Sequence, residues 1–146
     1  PGNHAILAKS GEFNSNISLN PQLVEYGLNR LVKSLRANQI NVVIISGVPE
    51  IGFNVPDIVL QYGNKVPDKY QPSRRDVDER NARADQILDI IAERYGALII
   101  SPIDLMCTNQ CIIQIEGSPI YRDDDHLSPF GARWIVPNLM HGVALY

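Results

Sequence analysis

Apolar runs alternate with polar, proline-bearing stretches along this chain, and the spacing of the apolar positions indicates the elements. Ala5-Ile6-Leu7-Ala8 is a short apolar run that predicts a buried strand. A stretch rich in Ser, Asn and Gly follows. Asn20 and Pro21 then mark a helix start, with asparagine as cap and proline in the first turn. Leu23, Val24, Leu28, Leu31, Val32 and Leu35 recur at spacings of three and four, so the helix has one apolar face. Asn38 and Asn41 flank its stop. Val42-Val43-Ile44-Ile45 is an unbroken β-branched run, the pattern of a parallel strand covered on both faces. Ser46-Gly47-Val48-Pro49 turns the chain. Residues 50–72 carry Pro56, Pro67 and Pro72 and predict a surface excursion, with a short helix around Asp57 to Tyr62. Ser73 caps the next helix, and Asp76 completes a variant capping box. Val77, Ala84, Ile87, Leu88, Ile91 and Tyr95 form its expected buried stripe. Gly96 closes it, and Ala97 to Ile100 predict another strand.

Strands that alternate with helices of this length imply right-handed crossovers, a parallel sheet and an α/β fold. Ligands of such sheets sit at the carboxyl ends of the strands. Here those ends lead into Lys9-Ser10-Gly11, Ser46-Gly47-Val48 and Ser101-Pro102-Ile103. None is a Gly-x-Gly-x-x-Gly or Walker loop, so no motif supports nucleotide binding. The last third changes character. Ile112 to Glu116 alternates weakly, Gly117-Ser118-Pro119 turns, and Ser128-Pro129 begins a final helix over Phe130 to Tyr146 that Pro137 should kink.

Composition narrows the class. The 146 residues suit one domain, and 45% apolar with 20% charged residues excludes a disordered tail, a collagen-like chain and a coiled coil. A net charge of −3 weighs against a nucleic-acid partner. Arg74, Arg75, Arg80 and Arg83 resemble a phosphate patch, but Asp76, Asp78, Glu79 and Asp85 lie among them and imply a solvated mixed face. The aliphatic runs fall far short of the about 20 residues that a membrane span needs.

Two chemical features remain. Cys107 and Cys111 lie four residues apart. A disulfide in an oxidising compartment ranks above a redox pair or a zinc site, because His4, His126 and His141 show no metal spacing. His126 follows Asp123-Asp124-Asp125 just before a helix start. A histidine acting as general base needs a carboxylate to fix its tautomer, and Asp123, three residues back, can reach Nδ1 across a tight turn. Asp125 is adjacent, so its side chain is expected to point elsewhere, with Asp124 facing solvent or capping the turn. A calcium loop would need alternating oxygen ligands and a downstream Glu, and neither is seen. An incidental histidine on an acidic surface turn remains the competing reading.

The block Asp-x-x-His-Leu-Ser-x-x-Gly-Ala over Asp123 to Ala132 resembles the last sequence block of SGNH (GDSL-like) hydrolases. With Cys107-x3-Cys111, Gly117-Ser118-Pro119-Ile120-Tyr121 and the Val42 to Pro49 strand, it resembles one branch in particular. That branch is the extracytoplasmic SGNH domain fused to acyltransferase-3 membrane proteins. The resemblance covers roughly residues 40–135 and is densest after Ser101.

The resemblance implies a flavodoxin-like three-layer sandwich with a central parallel sheet. It implies O-acyl transfer, of acetyl above all, to or from a cell-surface polysaccharide, with the acyl donor delivered by a membrane region and no cofactor or metal. His126 would be the general base and Asp123 its orienting carboxylate. The family's Gly-Asp-Ser nucleophile block and Gly-x-Asn-Asp oxyanion block occur nowhere in the chain. Ser46 and Ser10 follow strands but lack the Gly-Asp lead. The expectation is therefore a domain whose first strand and nucleophile lie upstream, completed by that segment or by a swapped partner. A non-catalytic carbohydrate-binding module on the same fold is the alternative. Tyr121, Phe130 and Trp134 are its candidate stacking faces, although Phe130 and Trp134, one turn apart, are expected in the core.

Overall fold

A computed structural model describes residues 20–144. The strand expected at Ala5 to Ala8 and the Lys9-Ser10-Gly11 strand end fall outside the described residues. The chain forms two compact units, one of residues 20–44 with Arg83–Ile99, the other of Ile45–Ala82 with residues 100–144.

In the first unit, α1 (Asn20–Ala37) and the second half of α3 (Arg74–Tyr95) enclose a small core. Val32, Val42 and Ile91 are buried there, with Leu28, Leu35, Ile44, Ile87 and Tyr95 packed around them. Asn29 joins the helices, since its Oδ1 accepts from Tyr95 Oη at 2.7 Å and from Arg94 Nη1 at 2.9 Å. Gly96 ends α3 with φ +63°, and Ala97 N–H reaches back to the Ala92 carbonyl at 3.0 Å. This is the left-handed stop that glycine makes without steric cost. The apolar stripe of α1 is incomplete, because Leu31 and Val24 face solvent.

β1 (Val43–Ile45) and β2 (Leu98–Ile100) form a two-stranded sheet. Leu98 N–H donates to the Val42 carbonyl and Ser46 N–H to the Ile100 carbonyl, both at 3.0 Å, so the strands run parallel. The β-branched run suggested cover on both faces, but Ile45 is 49% exposed. Two strands are all that the described residues bring to this sheet, so its outer positions are not enclosed.

The second unit corrects the expected surface excursion. α2 (Val55–Tyr62) starts two residues earlier than expected, with Pro56 in its first turn. Ile51, Val55, Val59 and Val66 are buried in the main core with Val77, Ile103, Met106, Ile113, Ile120, Tyr121 and Ile135. The prolines shape short turns there, and the apolar residues between them supply core packing worth about 1.5–3 kcal/mol for each fully buried aliphatic side chain. At the start of α3, Ser73 Oγ accepts from Asp76 N–H at 3.1 Å, the expected cap. Val77 is buried in this unit and Ile91 in the other, while Ala84, between them on α3, is exposed, against its expected place in the stripe.

α4 (Pro102–Met106) leads into the Cys107–Cys111 disulfide, so the expected bridge forms and neither thiol is free for metal or redox chemistry. The closed loop is fastened to the start of α3: Cys111 N–H donates to the Pro72 carbonyl and Arg74 N–H to that of Asn109, both at 2.9 Å. β3 (Gln114–Ile115) and β4 (Ser118–Pro119) form a short antiparallel hairpin. Its turn places Glu116 and Gly117 at positive φ, the geometry that suits the twist of paired strands. α5 (Pro129–Ala144) carries Pro137 within it and buries Ile135 and Leu139. No described helix is long and apolar enough to cross a membrane.

Candidate functional site

The segment from Ile120 to Ser128 is a closed loop in the second unit. Ser128 N–H donates to the Ile120 carbonyl at 2.9 Å, Tyr121 and Leu127 bridge as an antiparallel pair, and Arg122 N–H donates to the His126 carbonyl at 2.9 Å. Asp123 shapes the tip. Its Oδ1 accepts from His126 N–H at 2.7 Å and from Asp125 N–H at 3.2 Å, the side-chain-to-backbone turn that aspartate favours. Two more bonds hold the tip from α2 and the segment before it: Val55 N–H to the Asp123 carbonyl at 3.2 Å and Ile51 N–H to the Asp124 carbonyl at 2.8 Å.

This turn brings Asp123 and His126 side by side. His126 Nδ1 lies 3.0 Å from Asp123 Oδ2 and 3.2 Å from Oδ1. Asp125 was expected to point away, yet its Oδ1 lies 2.7 Å from the same nitrogen. The turn that Asp123 closes is so tight that both flanking carboxylates reach one ring edge. Arg122 Nε lies 3.4 Å from Asp123 Oδ2. Of Asp124, it is the backbone carbonyl that takes part, through Ile51.

Partial burial works to raise the Asp123 pKa, but the backbone N–H groups of His126 and Asp125 and the neighbouring imidazole outweigh it and hold the carboxyl at about 2. Asp123 is therefore ionised throughout the neutral range. An ionised carboxylate only accepts, so Nδ1 must carry the ring proton. Nε2 is left with the lone pair, the arrangement that a general base requires. His126 is 58% exposed in its side chain, so a substrate or a second segment can approach it.

Asp123, Asp125 and His126 each offer one ligand atom, all within 4.8 Å of one another. Three groups on a solvent-facing turn do not complete the four-ligand shell of a structural zinc site, and we assign no metal to them. Two arginines of the patch are paired: Arg74 with Asp78 at 2.8 Å and Asp104 at 2.7 Å, and Arg75 with Glu79 at 2.8 Å. Those pairs border an open cleft of about 560 Å³ with Thr108 and Asn109, and their compensated charge gives it no excess attraction for phosphate.

Tyr121 is fully buried, so it presents no face to a sugar, and burial pushes its phenol pKa up. Its hydroxyl and that of Ser46 are buried without a hydrogen-bond partner among the described residues. Ser46 sits at the carboxyl end of β1, held by its N–H to Ile100. Trp134 packs against the core as expected, but Phe130 is 43% exposed because it lies on the outer side of the first turn of α5. The contributions of Ile51 and Val55 carry no sequence signal, since they act through backbone N–H groups that every non-proline residue has.

No curated protein and no solved structure matches the chain. The family model for the SGNH domain (fused to AT3 domains) matches residues 3–140, extending the resemblance read from residues 40–135 in both directions. A match over nearly the whole chain places this protein in the family of SGNH domains fused to acyltransferase-3 domains.

Proposed function

We propose that the chain serves O-acyl transfer, of acetyl above all, to or from a cell-surface polysaccharide, with His126 as general base and Asp123 as its orienting carboxylate. The observation that carries this reading is the 3.0 Å contact between His126 Nδ1 and the Asp123 carboxylate. In the reaction, Nε2 takes the proton of a serine hydroxyl as its oxygen attacks the acyl carbonyl carbon. The imidazolium that forms is stabilised by Asp123. It then protonates the departing oxygen as the tetrahedral intermediate collapses, and the acceptor hydroxyl repeats the sequence in reverse.

The sequence holds no Gly-Asp-Ser, so the nucleophile on this reading is a serine upstream of residues 1–146, while that segment or a swapped partner completes the sheet. β1 and β2 would then be two strands of a larger parallel sheet in a flavodoxin-like three-layer sandwich. The acyl donor arrives from the membrane region of the parent protein, and the domain works outside the cytoplasm, where a Cys107–Cys111 disulfide persists.

The test is turnover of an activated acetyl ester and acetyl transfer to polysaccharide. The 146-residue chain alone should be inactive. Protein that includes the nucleophile segment should be active, and His126→Ala should remove that activity. A His126→Ala protein that keeps the parent rate would end this assignment.

A further inference from the structure

We propose that Gly131, on the first turn of α5, is a positioning residue for the Asp123–His126 pair: the space it leaves lets the helix lie directly on the Ile120 backbone, from which the Asp123–His126 loop springs. This inference rests on the reading of that pair as the catalytic couple.

Gly131 is buried, and its φ is not positive, so backbone freedom is not the reason for glycine here. The reason is space. A Cβ built on Gly131 would fall on the Ile120 carbonyl oxygen, 2.8 Å from its carbon and 3.0 Å from Ile120 Cα. Those are backbone atoms, which cannot swing aside as a side-chain tip can. The same carbonyl oxygen accepts the Ser128 N–H at 2.9 Å. Ser128 Oγ donates to the Pro119 carbonyl and accepts from Gly131 N–H, both at 3.0 Å. Pro119, Ile120, Ser128 and Gly131 thus form one junction at the base of the loop.

Both arms of the loop start from this junction, and Asp123 and His126 sit at their far ends. The Arg122 N–H bond to the His126 carbonyl holds the arms together, with only the turn beyond it. A displacement of Ile120 must therefore either break its bond to Ser128 or shift one arm against the other. A hydrogen bond between two side chains weakens steeply with such a shift. Gly142 offers the contrast. A Cβ there would meet Ile100 Cδ1 at 3.0 Å, the movable end of a side chain well away from the loop in sequence.

The experiment reads the neutral tautomer of His126 by 15N NMR in the full 146-residue chain labelled at histidine. His126→Gln assigns the signal among His4, His126 and His141. In the parent chain the Nδ1–H form should dominate; the Nε2–H form there would refute the Asp123–His126 reading itself, a failure distinct from that of Gly131. Read in the Asp125→Ala background, which removes the second carboxylate 2.7 Å from Nδ1, Gly131→Ala should lose the Nδ1–H preference, whereas Gly142→Ala should lower Tm yet keep it. A Gly131→Ala chain that folds and keeps the parent tautomer overturns the inference. Should Gly131→Ala fail to fold, Ser128→Ala decides: it removes both hydroxyl bonds of the junction without adding volume. Weakened Nδ1–H preference in that variant supports the inference, and an unchanged one overturns it.

Discussion

Replacing Asp123 by Asn exchanges one oxygen for an NH2 group, and the geometry dictates where that group must sit. Oδ1 accepts the N–H groups of His126 at 2.7 Å and Asp125 at 3.2 Å, and these bonds shape the turn. The amide oxygen of the variant should keep that position, because the NH2 group cannot accept. The NH2 group then takes the place of Oδ2, which lies 3.0 Å from His126 Nδ1. It can only donate, which favours an accepting Nδ1 and a ring proton on Nε2, against the remaining pull of the exposed Asp125 carboxylate 2.7 Å from the same nitrogen. An imidazole protonated at Nε2 cannot take a proton from the nucleophile. Wrong-tautomer substitutions of this kind lower kcat by about 10,000-fold.

Stability near neutral pH should fall, because the amide oxygen still accepts the backbone N–H groups but the charge that strengthens those bonds is gone. The pH dependence should change below that range. Asp123 titrates near 2 in the folded chain, against about 3.9 for an unfolded aspartate. Its folded pKa is depressed, so its stabilisation is present above about pH 4 and is lost as pH falls towards 2. The Asn variant should lack this part of the acid-unfolding curve. The assay is acetyl-ester turnover by protein that includes the nucleophile segment, with Tm measured on the same samples. A rate within tenfold of the parent would refute the tautomer argument, and so would a rate loss matched by unfolding. Asp125→Asn supplies the comparison. Asp125 is close to Nδ1 but 51% exposed, so its charge is screened and the loss should stay below about tenfold.

Two further outcomes concern the frame around the site. Replacing Cys107 and Cys111 by Ser should cost about 2 kcal/mol, because the bridge closes only a very short loop; chemical denaturation with and without reductant measures it, and an unchanged midpoint would show that the closure entropy argument fails here. Ile135→Ala should destabilise by about 2–5 kcal/mol because the side chain is buried in the main core, while Met140→Ala, half exposed on the same helix, should stay within about 0.5 kcal/mol. Equal losses at the two positions would contradict the burial assigned to α5.

Much of the local structure was legible without coordinates. The caps at Ser73 and Gly96, the β-branched run of β1 and the helix beginning at Pro129 are set by neighbouring residues, and each appears where its local chemistry calls for it. The pairing of Asp123 with His126 was legible for the same reason, since three residues of spacing suffice to close a turn. Residues 50–72 misled because proline is a local signal, whereas the burial of Ile51, Val55, Val59 and Val66 depends on which distant surfaces meet them. Ala84 and Phe130 misled likewise: helical periodicity names a face but not how far along the helix a partner extends.

The length of the chain, its acyltransferase-associated family, its disulfide and the turn that couples a carboxylate to an imidazole follow from the sequence by itself, because each depends on residues close together in the chain or on a motif held in order. Only the tertiary structure decided that Asp125 also faces the ring, that Ile51 and Val55 hold the turn through their backbone N–H groups, and that Gly131 lies against the Ile120 carbonyl. The contacts of Ile51, Val55 and Gly131 are contacts of backbone and shape. No side-chain alphabet records them, and they exist only once separate segments have packed together.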